Sequence, residues 1–201
     1  MNALRKVASR AKAKTISTIR EWQYMLGLQK LIVGDTVSDK SLKELFEHVS
    51  DDFWFWAYTD GYRKSPALRQ LLPALPEEKL QSQFTGASGD QTLRQAFLAY
   101  KLFKSLAKKY SHEIAGSDKI LDFGVGWGRI IRFFLKDVEE IDGLYGIDCD
   151  PEIISICKAS NLKANIDTID PHPPTQFADD TFDIVYSYSV FSHLSEDIHI
   201  E

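Results

Sequence analysis

The stretch that decides the fold of this 201-residue chain is Ile120-Leu121-Asp122-Phe123-Gly124-Val125-Gly126-Trp127-Gly128-Arg129. Residues 120–123 predict a buried strand, and the three alternate glycines predict a tight turn. The apolar residues after the turn predict a helix over 128–136. Glycine permits a positive φ angle and lets a ligand approach the backbone closely. Free amides at the start of the new helix would offer that ligand hydrogen-bond donors. The stretch therefore predicts a strand, a ligand-binding turn and a helix.

Strands and helices alternate from this stretch onward. Further strands are predicted at 144–147, ending at Asp148, near 162–166, and at 182–188, with a helix over 151–159 that has a proline in its first turn. Alternating strands and helices favour a mostly parallel sheet covered on both faces. We therefore predict an α/β fold with a Rossmann-like parallel sheet.

The first half of the chain shows only helical patterns. Ser41 and Glu44 form a predicted capping box for a helix over 41–49, and an aromatic-rich helix is predicted over 51–58. A flexible loop is expected over 84–90 and a helix over 91–110. We expect a helical accessory or lid segment over residues 1–115 and a separate α/β domain over 116–201.

Composition excludes several classes of protein. The net charge of −5 argues against a general nucleic-acid binder, and Cys149 and Cys157 lack metal-ligand spacing, so no metal site is predicted. No apolar run approaches the roughly 18 residues that a membrane-spanning helix needs, and we expect a cytoplasmic protein. Residues 1–20 hold six basic residues and no acidic ones. They predict either a solvated helix or a basic amphipathic helix that contacts an anionic membrane surface.

The glycine spacing separates two classes of nucleotide site. Dinucleotide-binding turns follow G-x-G-x-x-G, whereas this chain has D-x-G-x-G-x-G with Arg129 at the position of that pattern's third glycine. A carboxylate at a strand end, here Asp148, can accept hydrogen bonds from both hydroxyls of a ribose. A nucleotide-dependent oxidoreductase is therefore disfavoured.

Residues 119–194 resemble the cofactor half of class I S-adenosylmethionine-dependent methyltransferases of the bacterial small-molecule type. The resemblance rests on residues 120–129, on Tyr145-Gly146-Ile147-Asp148, on residues 179–185, and on Ser189-Val190-Phe191-Ser192-His193-Leu194. It implies that S-adenosyl-L-methionine is the cofactor and that a small-molecule acceptor receives the methyl group.

The resemblance also implies roles for individual residues. The backbone from Gly124 through Val125 and Gly126 to Gly128 would hold the methionine part, and Asp148 the ribose. The stretch from Asn165 to Asp167 would meet the adenine, and Ser187, Tyr188 and Ser189 would line the methyl donor. Phe123 and Cys149 complete the predicted cofactor-binding set, and Asp122 is expected to fix the glycine turn by accepting backbone hydrogen bonds.

Other side chains have two interpretations. His193 is the candidate general base, because its ordinary pKa suits proton transfer at neutral pH, and a surface histidine is the alternative. Aromatic residues at 53–58 are expected in the core, with a lid over the sulfonium as the alternative. The acceptor pocket is expected near residues 84–86.

The resemblance implies seven strands, whereas four are predicted before Glu201. We therefore expect a form truncated after its fourth strand, which leaves residues 184–186 on an open apolar edge that favours self-association. The truncated chain would be inactive if the missing part completes the acceptor pocket. The alternative function is a non-catalytic, methyltransferase-like binding module.

Overall fold

The computed structural model describes residues 41–110, 112–139 and 141–193. The predicted basic segment 1–20 and residues 194–201 lie outside these ranges. The described part begins with helices and continues as a sheet with helical connections. Its helices before the sheet are α1 (Leu42–Phe46), α2 (Asp51–Tyr58), α3 (Asp60–Lys64), α4 (Pro66–Leu71), α5 (Glu78–Thr85) and α6 (Gly89–Lys109).

Short polar side chains set the starts of the first two helices. The predicted capping box is present at α1: Ser41 Oγ accepts from the Glu44 N–H at 3.1 Å, and the Ser41 N–H donates to the Glu44 carboxylate at 2.9 Å. Ser50 Oγ accepts from the Phe53 N–H in the same way at the start of α2. These bonds pair amides that a helix start leaves without partners.

The prediction of a flexible loop over 84–90 is wrong at both ends, because helices occupy those positions. Helix α5 runs to Thr85 and helix α6 begins at Gly89, so only three residues connect them. Gly86 ends α5 with a φ of 69°, a conformation that glycine adopts without steric cost. The glycines of this stretch therefore terminate and start helices.

The sheet has four parallel strands in the described part of the chain, in the order β3-β2-β1-β4. This confirms the predicted Rossmann-like α/β fold. Helix α7 (Pro151–Ala159) has the predicted bounds and is capped by Asp150. The strands are β1 (Ile120–Phe123), β2 (Ile141–Asp148), β3 (Ala164–Thr168) and β4 (Ile184–Ser187).

The helix predicted over 128–136 takes a different form. The chain makes turns over residues 126–130 and then a six-residue 3-10 helix, Ile131–Lys136, which we call η1. Gly128 still has a φ of 77°, outside the helical region, so an α-helix cannot start there. All six residues of η1 are buried.

Helix α2 covers η1 and shares its core. Trp54 Nε1 donates to the Phe133 carbonyl at 2.9 Å, and Tyr58 Oη donates to the Arg132 carbonyl at 3.0 Å. Trp54 and Tyr58 are fully buried, as the core interpretation predicts, and the lid alternative is wrong for both. One apolar cluster extends from α1 through α2, α6 and η1 to β4.

Strand β4 forms one edge of the described sheet, as predicted. Val185 exposes 59% of its surface there, whereas Tyr186 faces the core and stacks on Phe103 of α6 with ring centroids 4.6 Å apart. None of the helices in the described ranges has the length and hydropathy that crossing a bilayer requires.

Candidate functional site

A cavity of about 970 Å³ lies at the carboxyl ends of the strands. The segments that follow β1, β2, β3 and β4 form most of its wall, and α5 and α6 contribute the rest. Ligand sites of parallel α/β sheets occur at this edge. The predicted site residues that line the cavity are Asp122, Phe123, Gly124, Val125, Gly126, Asp148, Cys149, Tyr188 and Ser189.

The glycine loop, residues 124–128, uses its three glycines differently, although all have positive φ angles. A Cβ on Gly124 would lie 2.0 Å from Val190 Cγ2, so a side chain is excluded by the neighbouring segment. A Cβ on Gly126 would meet nothing within 4 Å, and it would stand at the cavity wall. Gly124 therefore allows a close contact with the neighbouring segment, Gly126 leaves open space in the cavity, and Gly128 makes a packing contact.

Gly128 does not line the cavity, and its contact with the cofactor stays a prediction. A Cβ at this position would lie 2.8 Å from Leu162 Cδ2 and 3.1 Å from Cys157 Sγ. Gly128 therefore lets the loop pack closely against α7 and the residues that follow it.

The amides of the loop are already engaged within the protein. The N–H groups of Gly124 and Val125 both donate to the Ile147 carbonyl, at 2.8 and 2.9 Å, and that of Gly128 donates to the Val125 carbonyl at 2.9 Å. The Gly126 N–H donates to Asp148 Oδ2 at 3.0 Å. These four amides are therefore not free, in contrast to the free amides expected at the turn.

Asp148 joins the end of β2 to the glycine loop. Besides the bond from Gly126, its Oδ1 accepts from the Asp150 N–H at 3.2 Å. A carboxylate can accept about four hydrogen bonds, so acceptor capacity remains on the side chain, which is half-buried at the cavity wall. This carboxylate can both hold the loop and accept hydrogen bonds from a ligand.

Asp122 lies below the loop at the end of β1 and is buried. Tyr186 Oη donates to its Oδ2 at 2.9 Å, and the Ile131 backbone N–H lies near enough to the carboxylate to lower its pKa. Burial raises the pKa of Asp122 to about 7, although the Tyr186 bond and the charge of Arg129 oppose the increase. Asp122 thus ties β1 to both η1 and β4.

Two of the predicted adenine contacts lie outside the cavity. The Asn165 side chain donates to the Ile141 carbonyl, and Asp167 lies 3.8 Å from Lys158 Nζ. Strand β3 runs two residues past the predicted end at Ile166, so the chain reaches the cavity only at Ile169.

The residues from Ile169 to Thr175 therefore take the place that was predicted for Asn165 and Asp167. A signal was present in the sequence, because this segment follows β3 as Cys149 follows β2. The lining residues of this segment are Ile169, Asp170, Pro171, His172, Pro173 and Thr175.

Ser187, the last residue of β4, does not line the cavity either. It pairs with Phe123, and its Oγ is buried with no hydrogen-bond partner in the described part of the chain. Tyr188 and Ser189, which follow, do line the cavity. Two of the three residues predicted to surround the methyl donor therefore line the cavity.

Sequence reasoning missed two cavity residues inside the glycine loop region, Trp127 and Arg129. Phe84 and Thr85 of α5, near which the acceptor pocket is predicted, line the cavity together with Gln95 of α6. These contacts bring the helical half of the chain to the site.

The general base predicted at His193 is at the end of a short 3-10 turn, Phe191–His193, and its side chain lies outside the described part of the chain. Phe191 of that turn lines the cavity. Among residues 41–110, 112–139 and 141–193, no group of three or more His, Cys, Asp and Glu side chains suits a metal ion.

One protein-family model matches the later part of the chain. Residues 120–200 match the model of a family described as a methyltransferase domain. No curated protein matches the sequence.

Solved structures also match, at low identity. The YcgJ protein from Bacillus subtilis is 20% identical, with a TM-score of 0.40 over 53% of this chain and 41% of that one. The plantazolicin methyltransferase BpumL, solved with a monoazolic desmethylPZN analog and SAH, is 21% identical, with a TM-score of 0.38 over 67% and 47%.

Magnesium protoporphyrin IX methyltransferase (ChlM) from Synechocystis PCC 6803, solved with bound SAH, is 17% identical, with a TM-score of 0.37 over 52% of this chain and 48% of that one. The chain spans less than half the length of each of these three solved chains.

Proposed function

We propose that the chain is an enzyme that transfers a methyl group from S-adenosyl-L-methionine to a small-molecule acceptor. The match of residues 120–200 to the model of a methyltransferase domain supports this. The observation that carries the proposal is the cavity at the carboxyl ends of the strands, where the glycine loop and Asp148 meet.

The size and polarity of the cavity fit the cofactor. Sites for drug-sized ligands run from about 300 to about 1,000 Å³, and this cavity has about 970 Å³. Asp148 keeps acceptor capacity for the two hydroxyls of a ribose, since its oxygens accept only from Gly126 and Asp150 among the described residues. We assign the ribose to Asp148 and the adenine to the segment that starts at Ile169.

The engaged amides of the glycine loop favour this cofactor over a dinucleotide. A pyrophosphate is bound by free backbone N–H groups at such a turn. Here the amides of Gly124, Val125, Gly126 and Gly128 are taken by protein acceptors. Among the described residues, the carbonyls of Gly124 and Gly126 accept no hydrogen bond, and the space above Gly126 is open. These features suit the ammonium-bearing methionine part better than a phosphate.

The chain's own residues would act by positioning and by excluding water. The bound cofactor supplies an electrophilic methyl group on a sulfonium, so alignment of the acceptor provides much of the acceleration. Phe84 and Thr85 lie on the acceptor side, and His193, two residues beyond the cavity residue Phe191, is the proposed base for acceptors that must lose a proton. Cys149 and Cys157 are both unpaired, which favours a reducing compartment such as the cytoplasm.

The division into a helical segment over 1–115 and a cofactor domain over 116–201 is part of the proposal. Phe84, Thr85 and Gln95 of the first segment share the cavity with the second. We propose that the helical segment closes the acceptor side of the site.

Calorimetric titration with S-adenosylhomocysteine (SAH) tests the proposed cofactor. Wild-type protein should bind SAH, and Asp148→Asn should weaken binding about 10- to 100-fold, because hydrogen bonds to a charged group contribute about 1.5–3 kcal/mol. Asp167→Asn is the matched control, since Asp167 lies outside the cavity, and it should bind SAH as the wild type does. Absence of SAH binding, or tighter binding of NADH, would overturn the proposal.

A labelling experiment tests the acceptor class. Methyl-labelled S-adenosylmethionine is incubated with the protein and with cell extract separated into metabolite, protein and nucleic-acid fractions. We expect label in the metabolite fraction and less of it with Phe84→Asp. Label confined to protein or nucleic acid would exclude a small-molecule acceptor. SAH binding without any transfer of label would favour the non-catalytic binding module.

A further inference from the structure

Arg129 is a half-buried cation of the cavity wall. In the described ranges, no carboxylate oxygen lies within the 4.0 Å of its nitrogens that defines an ion pair, and its side chain makes no hydrogen bond. Its guanidinium carbon lies 5.2 Å from the centre of the Tyr188 ring. The charge of Asp122 acts on it without direct contact.

Other buried cations of the described chain have partners. Arg132 Nε donates to the Gly128 carbonyl at 2.9 Å, and its other nitrogens approach the carbonyls of Ala74 and Trp127. Lys136 Nζ lies 3.0 Å from Asp51 Oδ1. An unpaired charge in a partly buried place is unfavourable. Arg129 is therefore distinguished by its position in the cavity and by unused donors.

A second unused donor lies in the same wall. The indole Nε1 of Trp127 is buried with no hydrogen-bond partner in the described structure, and Trp127 lines the cavity. Trp127 and Arg129 flank Gly128 in the sequence. Buried polar groups of native proteins are nearly always hydrogen-bonded. The indole N–H is itself inaccessible, so the unused donors of Arg129 at the cavity wall are what indicate a ligand that accepts hydrogen bonds.

We propose that Arg129 binds a carboxylate of a molecule held in this cavity. The guanidinium presents its donors in a planar fork that matches a carboxylate. This inference rests on the proposed function, under which two molecules share the cavity. The carboxylate belongs either to the methionine part of the cofactor or to the acceptor.

Two nucleosides that differ at the carboxylate separate these sources. SAH carries the amino-acid group, and 5′-methylthioadenosine lacks it. If the cofactor supplies the carboxylate, Arg129→Gln weakens SAH binding about 10- to 100-fold and changes methylthioadenosine binding by less than twofold. The Arg129→Lys variant then binds SAH more tightly than Arg129→Gln does. Equal weakening of both nucleosides would overturn the inference, since Arg129 would then only shape the site.

A carboxylate probe tests whether the acceptor supplies the carboxylate. Benzoate and the neutral benzamide are titrated into the SAH-bound protein and followed by NMR shifts. If the acceptor supplies the carboxylate, the wild type binds benzoate more tightly than benzamide, and Arg129→Gln abolishes that difference without changing nucleoside binding.

Two negative outcomes have different meanings. If Arg129→Gln alters neither nucleoside binding nor the benzoate preference, the carboxylate role of Arg129 is wrong while the cofactor proposal stands. If the wild type binds neither nucleoside, the proposed function itself is wrong. Thermal unfolding of each variant establishes that it is folded.

Discussion

The glycine loop and η1 are neighbours in sequence and differ in almost every physical respect. The glycine loop lies at the cavity wall and has three positive φ angles. In η1 all six residues are buried, and helix α2 donates to its carbonyls through Trp54 and Tyr58. The ligand-facing segment is thus held in shape by the densely packed segment that follows it.

Because of this difference, we expect substitutions in the two segments to affect different properties. Changes under η1 should reduce the free energy of unfolding, and changes at the open part of the loop should reduce ligand affinity with little effect on folding. Asp122 connects the two, because it lines the cavity and the Ile131 backbone N–H of η1 acts on its carboxylate.

The largest effect is expected for Trp54→Ala. The substitution removes a fully buried ring and the hydrogen bond to the Phe133 carbonyl, and we expect a loss of about 3–5 kcal/mol in the free energy of unfolding. Urea unfolding measures it. Trp54→Phe keeps most of the ring and should lose about 1–3 kcal/mol. A Trp54→Ala loss of under about 1 kcal/mol would show that α2 does not support η1.

A pH-dependent effect of up to about 4 kcal/mol is expected from Asp122. Its pKa in the folded protein, about 7, exceeds the ordinary value of 3.8. The folded state therefore retains a proton that the unfolded state has lost, and stability falls as pH rises from about 4 through 7. Asp122→Asn cannot titrate, so its unfolding free energy should fall less between pH 5 and pH 8.

Urea unfolding of both proteins at several pH values measures this slope. If the wild type and Asp122→Asn show the same dependence on pH, another group controls it, and Asp122 is ionised in the folded protein.

Gly128→Ala should reduce the free energy of unfolding by about 3 kcal/mol. The new Cβ would lie 2.8 Å from Leu162 Cδ2 at a φ of +77°, so it adds overpacking to left-handed strain. Urea unfolding measures the loss, and calorimetry should find SAH affinity little changed in the protein that remains folded. A large loss of SAH affinity with normal stability would place Gly128 at the ligand.

Gly126→Ala should have the smallest effect on stability, about 1 kcal/mol, because its Cβ meets nothing within 4 Å and only the φ of +54° opposes it. The new methyl group would occupy the open space of the cavity beside Gly126, so SAH affinity should fall more than in Gly128→Ala. Paired calorimetry of the two variants checks this. Unchanged affinity in Gly126→Ala would move the ligand away from the loop.

Most of the framework was predictable from local patterns. The glycine spacing, the alternation of apolar strands with helices and the capping signals at Ser41 and Pro151 depend on residues close together in sequence. Strand ends were less predictable: β3 extends to Thr168 because pairing with β2 continues to Asp148. That pairing moved the proposed adenine contact from Asn165 and Asp167 to the segment at Ile169.

The sequence by itself determined the parallel sheet, the positions of the glycine loop and of Asp148 at its carboxyl edge, and the burial of the aromatic helix, since apolar periodicity and glycine's conformational freedom act locally. Only the tertiary structure decided that the amides of Gly124, Val125 and Gly126 are used by Ile147 and Asp148, and that Gly128 packs while Gly126 stays open. It also decided that Arg129 has no carboxylate partner among the described residues. Those outcomes depend on which distant atoms meet in three dimensions.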